Sequence, residues 1–284
     1  MGLSREQQAL ITRWETFLSR LEQRHAELRT EADGGMQGMV DEVLAADEVD
    51  TRAVFNAMEG LETRLNNLPD KADKAWEDEA EDLVDALNED FDGKPDLHDM
   101  AHDRLDDCKM RMTEEWERFK ARWGAHLFRT MWPKVDAGLR EPADCTQCGS
   151  NLGQLDRRFP QRAQCGSCGA VNQVLVPTNV ATYRSQAPHQ FAQEASIELR
   201  FQIERARVAA DRDRRARDWG PEPIASLDQW EAMERTYWET YAKVVTETGW
   251  QQPEKAGELV ESRMEMFKRQ SIMTDQRWRR ARGL

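Results

Sequence analysis

The sequence predicts a mainly α-helical protein, built as a multi-helix bundle or as elongated coiled-coil-like helices, with one small β insert. Three observations carry that expectation. Tryptophan and leucine recur at spacings of three, four and seven along most of the chain, glycine- and proline-containing stretches punctuate those runs, and one segment at 144–177, DCTQCGSNLGQLDRRFPQRAQCGSCGAVNQVLVP, breaks the helical pattern. No longer internal repeat suggests a solenoid. The expected organisation is an N-terminal helical region at 1–140 with an acidic segment at 70–107, an insert at 141–178, and a C-terminal helical region at 179–284 ending in a basic tail.

The first helix is signalled by Ser4 and Gln7, which have capping-box spacing, and by an apolar stripe of Leu10, Trp14, Phe17, Leu21 and Leu28. Its expected end is DGGMQG at 33–38, where three glycines favour a turn. Val54, Met58, Leu61, Leu65 and Leu68 mark a second helix, expected to close at Pro69. Asp70 would then cap a third, with Ala72, Trp76, Leu83, Leu87 and Phe91 on its apolar face and DGKP at 92–95 breaking it. A fourth and longest helix carries Leu105, Cys108, Met112, Trp116, Phe119, Trp123 and Leu127 at heptad-like spacing. About 35 residues of it would span roughly 50 Å. Pro133, Gly138 and Pro142 lead into the insert, and helix returns after Pro177 and Pro188 with Phe191, Ala195, Leu199 and Ile203. GPEP at 220–223 reads as a linker. Ser226 and Gln229 have capping-box form before Trp230, Met233, Tyr237, Trp238 and Tyr241, aromatics suited to a core or to interface anchoring. Val260, Met264, Phe267 and Trp278 mark a last helix.

The chain of 284 residues is long enough to bury a core without help from a metal, so any ion is local architecture or a tool. Its start has no apolar signal core, and no apolar run is long enough for a membrane span, which points to a cytoplasmic location. Net charge is −13, and the segment 70–107 alone holds sixteen acidic against four basic side chains. Arg263 to Arg282 has the opposite bias, with seven basic and two acidic. That amphipathic tail suits an acidic partner or anionic surface, or a last helix with a solvated end.

Four of the five cysteines sit as Cys145-x2-Cys148 and Cys165-x2-Cys168, with sixteen residues between the pairs. A two-residue spacer lets both sulfurs of a pair converge on one ion, and Gly149 and Gly169 permit tight backbone whose N–H groups face the thiolates. Zinc is the expected ion, as a single structural Zn2+; the same sulfurs would suit iron, and paired disulfides would need an oxidising compartment. At these positions the sequence resembles the zinc-ribbon class, which implies two knuckles capping short β-hairpins. The resemblance covers about 35 residues and names a module rather than a function. Four protein ligands close the coordination shell, so hydrolysis at this metal is not expected. The fifth cysteine, Cys108, lies on the apolar stripe of the fourth helix and reads as a buried, inert thiol.

Three functions follow in order. The favoured one is a helical scaffold or adaptor that binds protein partners or itself, with the zinc structural. The second is a nucleic-acid-associated regulator using the basic tip Arg157, Arg158, Phe159 and Arg162 together with the tail. Against it stands a net balance of only five basic to three acidic residues over 140–184. The third is a helical-bundle metalloenzyme, because Glu22-x-x-His25 and Asp99-x-x-His102 have the form of di-iron ligand pairs. With 53 acidic residues and five histidines, about one such match arises by chance. His98 and His102, one turn apart among Asp96, Asp99 and Asp103, are candidate ligands for a second ion, or part of a solvated acidic face. No phosphate-binding, nucleophile-elbow or dinucleotide motif is present.

Overall fold

The computed structural model describes residues 3–88, 96–215, 224–250 and 253–274, and they form a mainly α fold with one two-stranded insert. Helix α1, Arg5–Ala45, starts at the expected cap. The Ser4 hydroxyl accepts the Gln7 N–H at 3.2 Å, and the Gln7 side chain accepts the Ser4 N–H at 2.7 Å. It does not end at 33–38. Gly34, Gly35 and Gly38 lie inside the helix, because Ala32, Met36 and Val40 on its inner face are buried in the core. That burial outweighs about 1 kcal/mol of helix propensity per glycine.

Prolines are overridden in the same way. Helix α2, Thr51–Ala75, runs through Pro69 between buried Leu68 and Ala72, so Asp70 is interior rather than a cap. A π turn, Trp76–Ala80, and helix α3, Glu81–Asn88, continue the rod. Leu68, Ala72, Trp76, Ala80 and Val84 are all buried at four-residue intervals. An α-helix turns in 3.6 residues, so such a stripe would drift by about 40° per step. The wider π turn absorbs the drift and keeps the stripe facing inward.

Helix α4, Leu97–Arg140, is 44 residues long and passes through Pro133 between buried Met131 and Val135. The insert follows, with strands β1, Gln161–Gln164, and β2, Val171–Val174, paired antiparallel. Helix α5, Thr178–Arg215, begins ten residues before Pro188 and contains it. Helix α6, Ile224–Glu247, begins before Ser226, so the Ser226 and Gln229 pair does not open it; α7 is Pro253–Thr274. The expected breaks at 92–95 and 220–223, together with Phe91, Trp278 and the end of the basic tail, lie outside the described residues.

Ion pairs reveal the helix directions. Arg104, Arg111 and Arg122 of α4 meet Glu15, Glu22 and Asp33 of α1, each 89 residues away, so α1 and α4 run parallel. Lys109 meets Asp73 at 2.7 Å and Lys120 meets Glu62 at 2.9 Å, so α2 runs against both. Helix α5 lies antiparallel to α4 along nearly its whole length, from Gly138 beside Val180, through Arg118 with Glu198, to Asp107 with Arg212. An added Cβ on Gly138 would meet Val180 at 3.0 Å, so its missing side chain permits that approach. The boundary expected near 140 therefore separates two helices of one hairpin. Helix α6 packs against α5 and α7 against α6, as Arg207 with Glu234 and Arg235 with Glu261 show.

Two apolar clusters lie along the α1–α2–α4 bundle. One joins Ile11, Trp14, Trp76, Leu97, Leu105 and Cys108; the other joins Met36, Val54, Phe119, Leu127, Phe128 and Met131 to Tyr183 of α5 and to Trp250. Among the aromatics of α6, Tyr237 is buried and Trp238 and Tyr241 are half-buried; their ring centroids lie 4.8 to 6.2 Å apart, and the Arg263 guanidinium covers Trp238 at 4.8 Å. No described helix is long and apolar enough to cross a membrane.

Candidate metal centre

The insert occupies the connection of the α4–α5 hairpin and consists of two knuckles with matching backbones. In the first, the Cys145 N–H donates to Ser150 O at 2.8 Å and the Gly149 N–H to Cys145 O at 2.9 Å. In the second, the Cys165 N–H donates to Ala170 O at 2.8 Å and the Gly169 N–H to Cys165 O at 2.9 Å. Gly149 and Gly169 have φ of 72° and 75°, left-handed values that an L side chain rarely adopts. The second knuckle caps the β1–β2 hairpin, in which Gln164 pairs with Val171. The first is reduced to an isolated bridge between Asp144 and Asn151, so one of the two expected hairpins is only a bridge.

These turns bring the four predicted ligands together. The sulfurs of Cys145, Cys148, Cys165 and Cys168 all lie within 4.8 Å of one another. Cys145 and Cys168 are 3.6 Å apart, as are Cys148 and Cys165, and all four are free thiols. A disulfide needs about 2.05 Å. A tetrahedral ion with metal–sulfur bonds of about 2.3 Å separates its ligands by about 3.8 Å, so the cluster fits a four-thiolate metal.

Electrostatics agree with metal ligation. The Cys148 and Gln147 backbone N–H groups aim at Cys145 and lower its thiol to about 6, and the Ser150 hydroxyl and N–H lower Cys148. Cys168 receives the Ala170 N–H, which favours its thiolate, but its hydrogen bond with Cys148, desolvation, and contacts with Cys145 and Cys165 together outweigh that and push it up to about 12. A shared cation would take the place of the protons that these sulfurs otherwise share.

Asn172 on β2 is a supporting residue that sequence reasoning missed. Its side chain is buried; the carbonyl accepts the Thr146 N–H at 2.8 Å and hydroxyl at 2.9 Å, while the amide donates to Cys145 Sγ at 3.5 Å and Ala170 O at 3.1 Å. One amide thus ties the second knuckle to the first and orients a ligand. The only sequence signal was a polar residue at an inward position of an apolar strand.

The tip between the knuckles is folded onto the helices. Arg157, whose side chain is 11% exposed, donates to the Glu141 carbonyl at the end of α4 at 3.0 Å. Arg158 grips Asp156, holding that carboxyl below its usual range, and the Arg158 carbonyl accepts from Arg184 of α5 at 2.7 Å. Phe159 carries the guanidiniums of Arg184 and Arg158 at 5.5 and 5.9 Å. Arg162 remains exposed on β1. A cleft of about 350 Å³ between tip and body is lined by Trp132, Leu139, Leu155, Arg157 and Trp250.

The other candidates lie apart from this cluster. His25 is buried in α1, where desolvation first and then Arg29 lower it to about 4, and Glu22 faces Arg111. His98 and His102 pack edge-on against Trp76 at 5.2 and 5.6 Å; His98 lies 3.7 Å from Glu81 and His102 3.3 Å from Asp106. A second group with metal-compatible spacing joins His98 to Asp96 and Asp99, not to His102, and Asp96 already caps α4 by accepting the Asp99 N–H at 2.7 Å. The acidic segment meets neither the tip of the insert nor the tail in its described ion pairs; Arg212 takes Asp103 and Asp107, and Lys109 takes Asp73. Cys108 is buried, and desolvation, followed by Glu22, pushes its thiol up to about 12. No family model matches the chain, and no curated protein or solved structure matches it either.

Proposed function

We propose that this chain is a helical scaffold for protein–protein interaction, with one structural zinc that makes its ribbon a rigid cap on the α4–α5 hairpin. The observation that carries the reading is the position of the four-sulfur cluster in the connection of two helices that already pack along their length. A closed four-thiolate shell supplies conformational free energy and leaves no coordination position for substrate. Zinc is the ion that this donor set and tetrahedral spacing suit best. The cap presents Val171 at the start of β2 and Leu175 just beyond its end, each 66% exposed, and the tip that precedes β1 is held to the helices through Arg157 and Arg184. Exposed apolar side chains on a rigid base are what a protein contact uses.

The nucleic-acid reading is less favoured because Arg157 and Arg158 are engaged within the fold. The metalloenzyme reading is less favoured because Glu22, His25, His98 and His102 are engaged separately. The test is affinity purification of the full chain from nuclease-treated native extract, with metal analysis and a Val171→Asp, Leu175→Asp variant. The scaffold reading expects one zinc per chain and a co-purifying protein that the variant loses. Salt-sensitive nucleic acid retained by the chain and lost on Arg162→Ala, or a second metal with turnover, would overturn it.

A further inference from the structure

Two apolar hollows form a groove along the outer face of the α1–α2–α3 layer. Its wider part, about 1480 Å³, lies between the first four turns of α1 and the π turn with its flanking residues, and none of its lining comes from α4. Leu10, Trp14, Phe17, Ala80 and Leu83 line it with apolar surface, and Leu83 is 46% exposed. A second, separate stretch of about 540 Å³ lies further along, between α1 and α2, past Leu28, Met36, Met39 and Leu61. Together they follow α1 for about 50 Å.

The walls carry opposite charge. On the α1 side Arg5, Arg13 and Arg20 recur at eight and seven residues, exposed, with no carboxylate at ion-pairing distance among the described residues. The arginines of α4, by contrast, are engaged, as Arg104, Arg111, Arg118, Arg122, Arg129 and Arg140 show. Across the floor Glu79 lines the groove, and Asp78 and Asp82 beside it are exposed and likewise form no described ion pair. An acidic helix laid in the groove would satisfy the arginines but be repelled by Glu79 and its neighbours, and a basic one would meet the reverse. The occupant must carry both signs, in register with both walls.

We infer that the occupant is a second copy of this chain, related by a two-fold axis parallel to the groove. That operation sets the Arg5–Arg13–Arg20 wall of each copy against the Asp78–Glu79–Asp82 wall of the other at the same height, and buries Leu10, Phe17 and Leu83 from both copies. The product is a four-helix layer of two α1 and two α2–α3 rods. Gly35 and Gly60, which line the second stretch, fit the arrangement, since an added Cβ on either meets nothing within 4 Å inside its own chain. Helical glycines with open space beside them allow a neighbouring backbone to approach closely. The inference is independent of the metal-centre reading.

Sedimentation velocity on the full, metal-loaded chain across the micromolar range tests it, with circular dichroism and metal content verifying that each variant is folded. The wild type is expected to dimerise, more weakly at high salt, where the two walls are screened. Leu83→Glu should be monomeric, Arg13→Glu should weaken dimerisation by at least about tenfold, and Arg13→Glu with Glu79→Arg should recover most of the loss. A wild type that stays monomeric throughout would overturn the inference. So would a dimer that survives Leu83→Glu, or a charge swap that fails to restore what the single reversal removes.

Discussion

The insert and the helical body use glycine in opposite ways, and the contrast shows what holds each together. Gly149 and Gly169 adopt left-handed backbone, and each sets a knuckle that aims two sulfurs at one point. Gly34, Gly35 and Gly38 sit in regular helix and bend nothing. The insert has little apolar interior, so its shape depends on local backbone geometry and on whatever its sulfurs hold. The body buries continuous stripes from several helices, and this distributed packing overrides glycine and proline penalties of about 1 and 3 kcal/mol each. One region is fixed at a point, the other along a length.

The sharpest way to break the comparison is Cys165→Ser. Structural zinc contributes an apparent 10–16 kcal/mol or so in small ribbons, far more than any single body contact. The variant should lose its metal and become protease-sensitive at 144–176, while far-ultraviolet circular dichroism retains nearly all its helix. Collapse of the helices would mean that the body leans on the ion. A smaller effect is expected at Asn172→Ala, which removes the amide joining Thr146 to Cys145 and should weaken metal affinity by about 10- to 100-fold. Competition with a chromophoric chelator reads that change.

The body's own sensitivity is to acid. Burial lowers His25 from 6.5 to about 4, so between those pH values the unfolded chain binds a proton that the folded chain refuses. Stability should fall as pH drops from about 6.5 towards 4, seen as a falling urea midpoint of the helical signal, and His25→Leu should flatten that slope. The smallest expected effect is Gly34→Ala, in a regular helix with open space for the new methyl group. It should stabilise the body by up to about 1 kcal/mol. A destabilising result would show that α1 needs the freedom of glycine at that point.

The same division explains what was legible in the sequence. The four ligands were, because thiolate geometry is encoded in a two-residue spacer and the glycine after it. Existence of the helices was legible from stripes such as Leu105, Cys108, Met112 and Trp116, all buried as expected. Their ends were not: Pro69, Pro133 and Pro188 look like stops locally, and what keeps each helix going is a partner helix distant in the chain. The π turn had a readable sign in the strict four-residue spacing from Leu68 to Val84. Asn172 and the inward fold of Arg157 depend on contacts 26 and 16 residues away, which no local pattern announces.

Hydrogen exchange on the full chain, read by mass spectrometry before and after chelation with metal content measured in parallel, tests the central claim most directly. One ion per chain is expected, and on its removal rapid exchange across 144–176 with protection in α4 and α5 preserved. A chain that binds no ion yet protects that segment equally, or one whose two long helices lose protection with the metal, would contradict it.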